Sequence, residues 1–382
     1  MRQETQIDLT QQIFAHLDAE TTALSNAITI NPVTAYACAD RLAKEVQLFR
    51  SEPLLMGLSA KIPNPRDYMT DNDTGIPIFV VRDDAGTVRA FVNACKHRGA
   101  QLLEGTGQVR NRIVCPYHAW SYDLDGKLTA VPHKESFEGF DINSCRLKEL
   151  PVVEKDGLIW VRSSGDEPID VDAHLGGLSD EFSSYGFENY HHFETRRMEC
   201  EMNWKIIIDT FLEPYHFAVL HRDTVAPIFF PNLCLFDAFG RNLRETLPRR
   251  SIVNLRDEPQ KTWDLVKHTA IVYVLFPNTV FVMQGDHAEI WRTYPRNGRA
   301  DQSVTYLEFY TPDPVETEKA RGHWERNMDL VVRTVQQEDF PVGESSQTVF
   351  NSGTLESVVY GKNEPALAFF ENTLTAAAEE IP

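Results

Sequence analysis

Two short loops constrain this chain more than any other feature: CKHRGA, residues 95–100, and CPYHAW, residues 115–120. The first carries Cys95-x-His97 and the second Cys115-x-x-His118. Thiols and imidazoles spaced like this are metal ligands, and the fold must bring the two loops together as hairpin tips. The chain does not need a metal merely to fold. Its 382 residues, 42% apolar, can bury a full core and suggest two domains, three at most. A metal in these loops is therefore expected to be used chemically.

Lys and Arg number 37 against 56 Asp and Glu, a formal charge of −19. A surface this acidic repels phosphate backbones, so no nucleic-acid partner is expected. The opening stretch, MRQETQIDLTQQIFAHLDAE, is charged throughout, and no apolar run approaches a membrane span. The expected setting is cytoplasmic, with no membrane partner. In a reducing compartment Cys38, Cys145, Cys200 and Cys234, which have no local partners, are expected to be buried thiols.

Apolar positions at helical spacing over residues 6–30 predict a helical N-terminal arm, and ADRLAKEVQLF (39–49) a second helix. From about 51 to 163 the pattern changes to short strands between turns: IPIFVV (76–81), TVRAFVNA (87–94), YDLDGKL (122–128) and GLIWVR (157–162). This reads as a small antiparallel β domain. The polar stretch 163–181 reads as a connector. Beyond it come a helical stretch at 203–221, strands at 268–276, 279–284, 289–295 and 303–312, and a long helix over 316–337. A sheet with helices packed on one face fits this order.

Two chemistries suit the paired loops: a zinc ribbon, or a two-iron, two-sulfur cluster in which two histidines replace two cysteines on one iron. Zinc knuckles tend to place Cys-x-x-Cys together, whereas here each loop supplies one Cys and one His. C-x-H-R-G followed by C-P-Y-H-x-W resembles the Rieske signature. The stretch from about 47 to 162, including YDLDGKL and GLIWV, resembles the Rieske domain of ring-hydroxylating oxygenase α subunits along its whole length. The resemblance implies that Cys95, His97, Cys115 and His118 hold a [2Fe–2S] cluster. Ala119 stands where Gly is common in that family; it supplies no side-chain chemistry.

The segment NWKIIIDTFLEPYHFAVLHRD (203–223) contains Asp209, Glu213, His216 and His221. His216 and His221 are five apart, roughly 140° around a regular helix, so they converge only where the helix is broken. Pro214 supplies a cause. Two histidines meeting there suit a non-haem Fe(II) site, which takes two histidines and one carboxylate and keeps other positions open. N-W-K, an acid (Asp209), then E-x-Y-H-x-x-x-x-H resembles the family's iron motif, which makes Asp209 a further catalytic candidate. By that resemblance His216 and His221 are iron ligands, and Glu213 bridges electrons to a Rieske histidine, His118, of a neighbouring subunit. Most members have Asp at the bridge; Glu occurs in relatives acting on quaternary ammonium substrates. The run VVRTVQQEDFPVGESSQ (331–347) resembles the element that carries the third ligand. Asp339 is the choice, with Glu338 and Glu344 as alternatives.

The resemblance implies an α+β fold: a Rieske [2Fe–2S] antiparallel β domain at 47–163, and a catalytic helix-grip-like domain at 164–382, with an antiparallel sheet covered by helices. Residues 1–46 are an arm packing on the latter. It further implies a terminal oxygenase, using O2 and electrons passed from NAD(P)H by a separate reductase, with or without a ferredoxin, and a head-to-tail homotrimer. Three functions follow for testing: hydroxylation of an aromatic or other hydrophobic compound, monooxygenation of a quaternary ammonium compound, or an electron carrier fused to a ligand-binding domain. Alternate positions among Ile271, Tyr273, Leu275, Phe281, Met283 and Trp291 are expected to line the cavity, with 226–240 over its mouth.

Overall fold

A computed structural model describes residues 1–381. The chain divides into two compact units, Phe49–Val171 and Met1–Leu48 with Asp172–Pro382.

The first unit is built from short antiparallel strands. A five-stranded sheet runs in the order Glu149–Leu150, Val88–Val92, Ile78–Arg82, Asp67–Asp71, Thr106–Gln108. Two three-stranded sheets accompany it. One pairs Leu158–Val161 with Val152–Lys155 and Leu54–Leu58, and the other pairs Ser121–Tyr122 with Ile113–Val114 and Leu128–Ala130. Phe79, Phe91, Trp120 and Tyr122 form the buried core beneath Cys95 and Cys115. The two cysteine loops close alike. Cys95 N–H donates to Ala100 O and Gly99 N–H to Cys95 O; Cys115 N–H donates to Trp120 O and Ala119 N–H to Cys115 O. This closure forces a left-handed residue fourth after each cysteine: Gly99 at φ +74° and Ala119 at φ +58°.

The second unit is organised by a seven-stranded antiparallel sheet. Its order is His191–Cys200, Ser303–Thr311, Ala288–Pro295, Thr279–Met283, Thr269–Leu275, Asn242–Pro248, Leu235–Phe239. The central strands are buried on both faces, and so read as near-continuous apolar runs. Phe182 and Phe187 pack on Tyr273 and Phe281 across one face. On the other face the helix Glu318–Thr334 packs Trp324 against Phe309 and His287. The second face is the one that carries the cavity described below.

The structure corrects several readings. The N-terminal helix stops at Ala19, where Glu20 takes a left-handed cap, and Thr29–Pro32 pairs as a strand with Ser357–Tyr360. Beyond Ala19 the apolar residues of that spacing, Leu24 and Ile28, are exposed and not helical. The helix expected over 203–221 is regular only over Trp204–Asp209. The connector holds two short helices, Val171–Leu175 and Ser179–Ser183. Sequence reading missed the strand Asn242–Pro248, the edge strand Leu235–Phe239 beside it, and the C-terminal helix Pro365–Glu379. Cys200 and Cys234 are buried, but Cys38 and Cys145 are only half-buried. Among the described residues no helix is long and apolar enough to cross a membrane.

A non-glycine residue in the left-handed region costs about 1–2 kcal/mol, part of which glycine returns through unfolded-chain entropy. Ala119→Gly is expected to raise the urea-unfolding midpoint by up to about 1 kcal/mol of stability. Gly99→Ala is expected to lower it by a similar amount, since an added Cβ at Gly99 meets nothing within 4 Å and only the backbone term is felt. A lower midpoint for Ala119→Gly contradicts the strain at this loop.

Candidate metal centres and the catalytic cavity

Cys95 and Cys115 are buried and adjacent, and burial followed by the neighbouring thiol pushes the Cys95 thiol up. Tyr122 Oη lies 3.3 Å from Cys95 Sγ. The rings of His97 and His118 stand 4.6 Å apart, and His97 stacks on Trp120 at 4.8 Å. In both histidines Nδ1 is buried without a hydrogen-bond partner. Buried polar atoms are nearly always satisfied, so two orphaned imidazole nitrogens beside two thiols are vacant donor positions. The four residues fit a cluster held by two thiolates and two imidazoles.

The second centre lies on the Trp204–Asp209 helix and the turns after it. Asn203 caps that helix, its side chain accepting from Lys205 N–H at 3.0 Å. Trp204 Nε1 donates to Glu45 at 2.9 Å, and Lys205 forms a fully buried ion pair with Glu45 at 2.6 Å. N-W-K is thus a mounting device that fixes the helix. Past Asp209 the chain proceeds in turns through Pro214, with Phe217 N–H bonding Pro214 O. This brings His216 Nε2 to 3.1 Å from His221 Nε2.

Asp339 arrives from a different segment. Between the helices Glu318–Thr334 and Phe340–Asn351 lies a single π turn, Val335–Asp339. Pro341 supplies its cause, because a proline ring collides with the carbonyl four residues back in a regular helix. Gly343 lets the following helix close on the mount: a Cβ there would collide with Met202 Sδ and come within 2.9 Å of Ile206 Cγ2. Asp339 is 5% exposed, and its Oδ1 lies 3.2 Å from His221 Nε2 and 3.7 Å from His216 Nε2. Two ligands each about 2.1 Å from one ion stand roughly 3.0 Å apart at a right angle. Edges of 3.1, 3.2 and 3.7 Å therefore suit three ligands on one face of a metal.

Each histidine also carries a carboxylate on its other nitrogen. Glu213 Oε1 pairs with His216 Nδ1, while Oε2 accepts from the His216 backbone N–H at 3.0 Å. Glu338 Oε2 lies 2.5 Å from His221 Nδ1 and accepts from Thr224 Oγ1 at 2.8 Å. Such carboxylates fix tautomer and ring orientation, leaving Nε2 for a metal. The adjacent acids Glu338 and Asp339 thus stand in different positions: Asp339 faces the ligand atoms, and Glu338 faces the back of His221. Glu344 is elsewhere, accepting from Glu201 N–H. Asp209 also stands apart. Its Oδ2 accepts from Tyr36 Oη at 2.7 Å, burial and then Glu371 push its carboxyl up, and it is not among the cavity's lining residues.

A cavity of about 310 Å³ opens on His221 and Asp339. Ala270, Val272 and Val282 line it from the sheet, one position out of step with Ile271, Tyr273, Phe281 and Met283. Those expected residues face the aromatic cluster of Phe182 and Phe187 instead, because a strand alternates sides at every residue. Trp291 packs on Phe211. From the segment expected over the mouth, Ile228 and Phe229 do line the cavity, whereas Leu235–Phe239 is an edge strand. Sequence reading missed Arg249, Gln284, Asp286, His287 and Glu289 in the lining. Only Glu289 lies inside a strand, where a charge among apolar residues was the available signal; the others lie at strand ends and in the turn between strands.

The family profile described as "Ring hydroxylating alpha subunit (catalytic domain)" matches residues 187–380, just over half of the 382-residue chain. The chain belongs to the ring-hydroxylating α-subunit family. The profile "Rieske [2Fe-2S] domain" matches residues 53–151. The cofactors of this α subunit are accordingly a Rieske [2Fe–2S] cluster and a mononuclear iron. It is 36% identical over 171 residues to the glycine betaine monooxygenase oxygenase subunit of Chromohalobacter salexigens, covering 44% of this chain and 38% of that protein. It is 31% identical over 204 residues to the carnitine monooxygenase oxygenase subunit of Escherichia coli, covering 50% of this chain and 54% of that one. The matches thus span about half or less of these curated relatives. Among solved structures, a quaternary ammonium Rieske monooxygenase in complex with L-carnitine superposes with a TM-score of 0.78 at 21% identity, covering 92% of this chain and 96% of that one. Naphthalene 1,2-dioxygenase with indole bound superposes with a TM-score of 0.72 at 18% identity, covering 92% of each. At these identities both show the fold alone.

Asp339→Ala is expected to abolish iron at this centre while the cluster spectrum is kept. Glu338→Gln should retain the iron with about 10–100-fold weaker affinity, as loss of an orienting carboxylate does. Metal analysis after dialysis against a graded chelator reads both. Full iron in Asp339→Ala with none in Glu338→Gln reverses the assignment.

Proposed function

We propose that this chain is the terminal oxygenase of a Rieske non-haem iron system, inserting oxygen from O2 into a small organic substrate held in the cavity. The observation that carries this reading is the convergence of His216, His221 and Asp339, the last two lining the cavity, in a chain that also carries Cys95, His97, Cys115 and His118. When bound, the cluster supplies single electrons and the Fe(II) binds and activates O2. The residues do the rest. Glu213 and Glu338 hold the two imidazoles with Nε2 presented to the metal. The buried Lys205–Glu45 pair and Asn203 keep the mount rigid. Phe217 and Phe229 exclude water from the face on which substrate lies. An electron carrier fused to a binding domain leaves His216, His221 and Asp339 without a purpose.

Of the substrate classes, quaternary ammonium compounds come first. The relatives named above act on glycine betaine and carnitine, and Glu213 stands at the bridge position. The rings of Phe211 and Phe217 offer faces for a cation. An aromatic or hydrophobic substrate is the second reading, carried by the largely aliphatic wall of Val225, Val272 and Val282. Electrons come from a separate reductase, drawing on NAD(P)H directly or through a ferredoxin, and the setting is cytoplasmic.

The head-to-tail trimer belongs to this proposal. Tyr215 and Val219, beside Glu213, are 62% and 84% exposed, and Tyr117, beside His118, is 56% exposed. Apolar side chains flanking both electron-transfer residues suit burial against a neighbouring copy. Glu213 then accepts hydrogen bonds from His216 and from His118 of the next subunit.

Oxygen consumption with a surrogate reductase is expected to rise on adding a quaternary ammonium compound. Glu213→Gln should keep both metals but slow substrate-coupled reoxidation of the cluster steeply, because only one of the amide's two terminal atoms accepts and the other donates, which mismatches two imidazole N–H groups. Glu213→Asp should be milder. Wild-type reoxidation by Glu213→Gln contradicts the bridge, and oxygen uptake indifferent to every substrate contradicts the oxygenase.

A further inference from the structure

The cavity contains a cation that no acid of its lining pairs with directly. Arg249 lines it, and its backbone is fixed by a hydrogen bond to His268 O and a bridge to Phe229. Its guanidinium lies over the Phe229 ring at 5.3 Å. Its side chain has one hydrogen bond, from Nη2 to Gln284 Oε1 at 2.6 Å, and its Nε is buried without a partner. Among the described residues no carboxylate stands within ion-pair distance of it. Burial pushes its pKa down, against the pull of Asp286 and Glu289.

The three acids of the lining are already engaged, Asp339 with the two ligand histidines. Asp286 and Glu289 flank His287 at 2.8 and 3.2 Å, and the second Glu289 oxygen accepts from Trp291 Nε1 at 3.0 Å. These two carboxylates are held by imidazoles, both by His287 and Asp286 also by His323 at 3.5 Å, while the guanidinium has only a neutral amide. A charge removed from water needs a partner, and the planar fork of Arg matches a carboxylate at two points. Gln284, its Oε1 taken by Arg249, leaves its amide nitrogen to donate beside that fork.

We infer that Arg249, braced by Gln284 and Phe229, is the substrate's carboxylate-binding residue, so that the substrate is a short organic acid or zwitterion. The inference rests on the cavity being the substrate site of the oxygenase and narrows what enters it. With the carboxylate at Arg249, the apolar or methylated remainder lies against the lining shared with His221 and Asp339. A volume of about 310 Å³ limits that remainder to a small molecule.

The test uses iron-loaded full-length chain and matched probes: glycine betaine against choline, γ-butyrobetaine against its amide, and benzoate against benzyl alcohol. Affinities are read by titration calorimetry. In the wild type at least one carboxylate should bind roughly tenfold or more tighter than its carboxylate-free partner, as a charge-assisted hydrogen bond provides. Arg249→Gln should weaken that carboxylate by about ten- to a hundredfold and leave the carboxylate-free partner within about twofold. Arg249→Lys and Gln284→Leu should lose part of the preference. The proposal is overturned if no carboxylate outbinds its carboxylate-free partner, or if the preference survives in all three variants. Iron content of the same wild-type preparation tests the oxygenase reading separately, because calorimetry of the carboxylate does not depend on turnover.

Discussion

Three ligand atoms from two distant segments have to meet on one side of one ion, and much of the larger unit can be understood as the means of doing so. His216 and His221 cannot meet on a regular helix, so the helix is short and the chain turns through Pro214. Asp339 reaches them because Pro341 follows a π turn that shifts the register of an otherwise continuous helical run. The buried Glu45–Lys205 pair is costly to form and costlier to break, and it ties this broken region to the helix Ala39–Ser51. Irregular backbone at the centre is therefore held by the most ordered polar contacts around it.

The smaller unit solves a similar problem with repetition. Each cysteine closes its loop by the same two backbone hydrogen bonds and requires the same left-handed residue, supplied once by glycine and once by alanine. The loops rest on one aromatic core, and each leaves an imidazole nitrogen buried and unsatisfied. Unsatisfied polar atoms are expensive, and here they are where the four ligands require them. Ala119 supplies no side-chain chemistry, yet its backbone carries a conformation that explains why glycine is common there.

The sequence made the ligands legible because metal chemistry restricts residue type and spacing. It also made the central strands legible, since a sheet buried on both faces gives long apolar runs at 269–275 and 303–311. Those same runs hid the cavity face. With apolar residues on both sides of the sheet, nothing local distinguishes Val272 from Ile271, and the expected lining came out one residue out of step. Arg249 was illegible for the opposite reason: an arginine pair such as Arg249-Arg250 at a strand end is usually on the surface, and only the tertiary structure reveals that Arg249 lines a cavity without a carboxylate partner. The separate positions of Glu338 and Asp339 depend on the π turn, which no periodicity announces. Asp209 resembles a site acid by position, but Tyr36 and Tyr360 absorb it into the mount.

The central claim is that one chain holds two different iron centres, and the most direct test is the ratio of iron to acid-labile sulfide in anaerobically purified protein. A two-iron, two-sulfur cluster together with a mononuclear site gives about three irons and two sulfides per chain, with little zinc. Two irons and two sulfides that persist after reconstitution with Fe(II) would leave His216, His221 and Asp339 without a metal, and stoichiometric zinc without sulfide would remove the cluster as well. Either result contradicts the account.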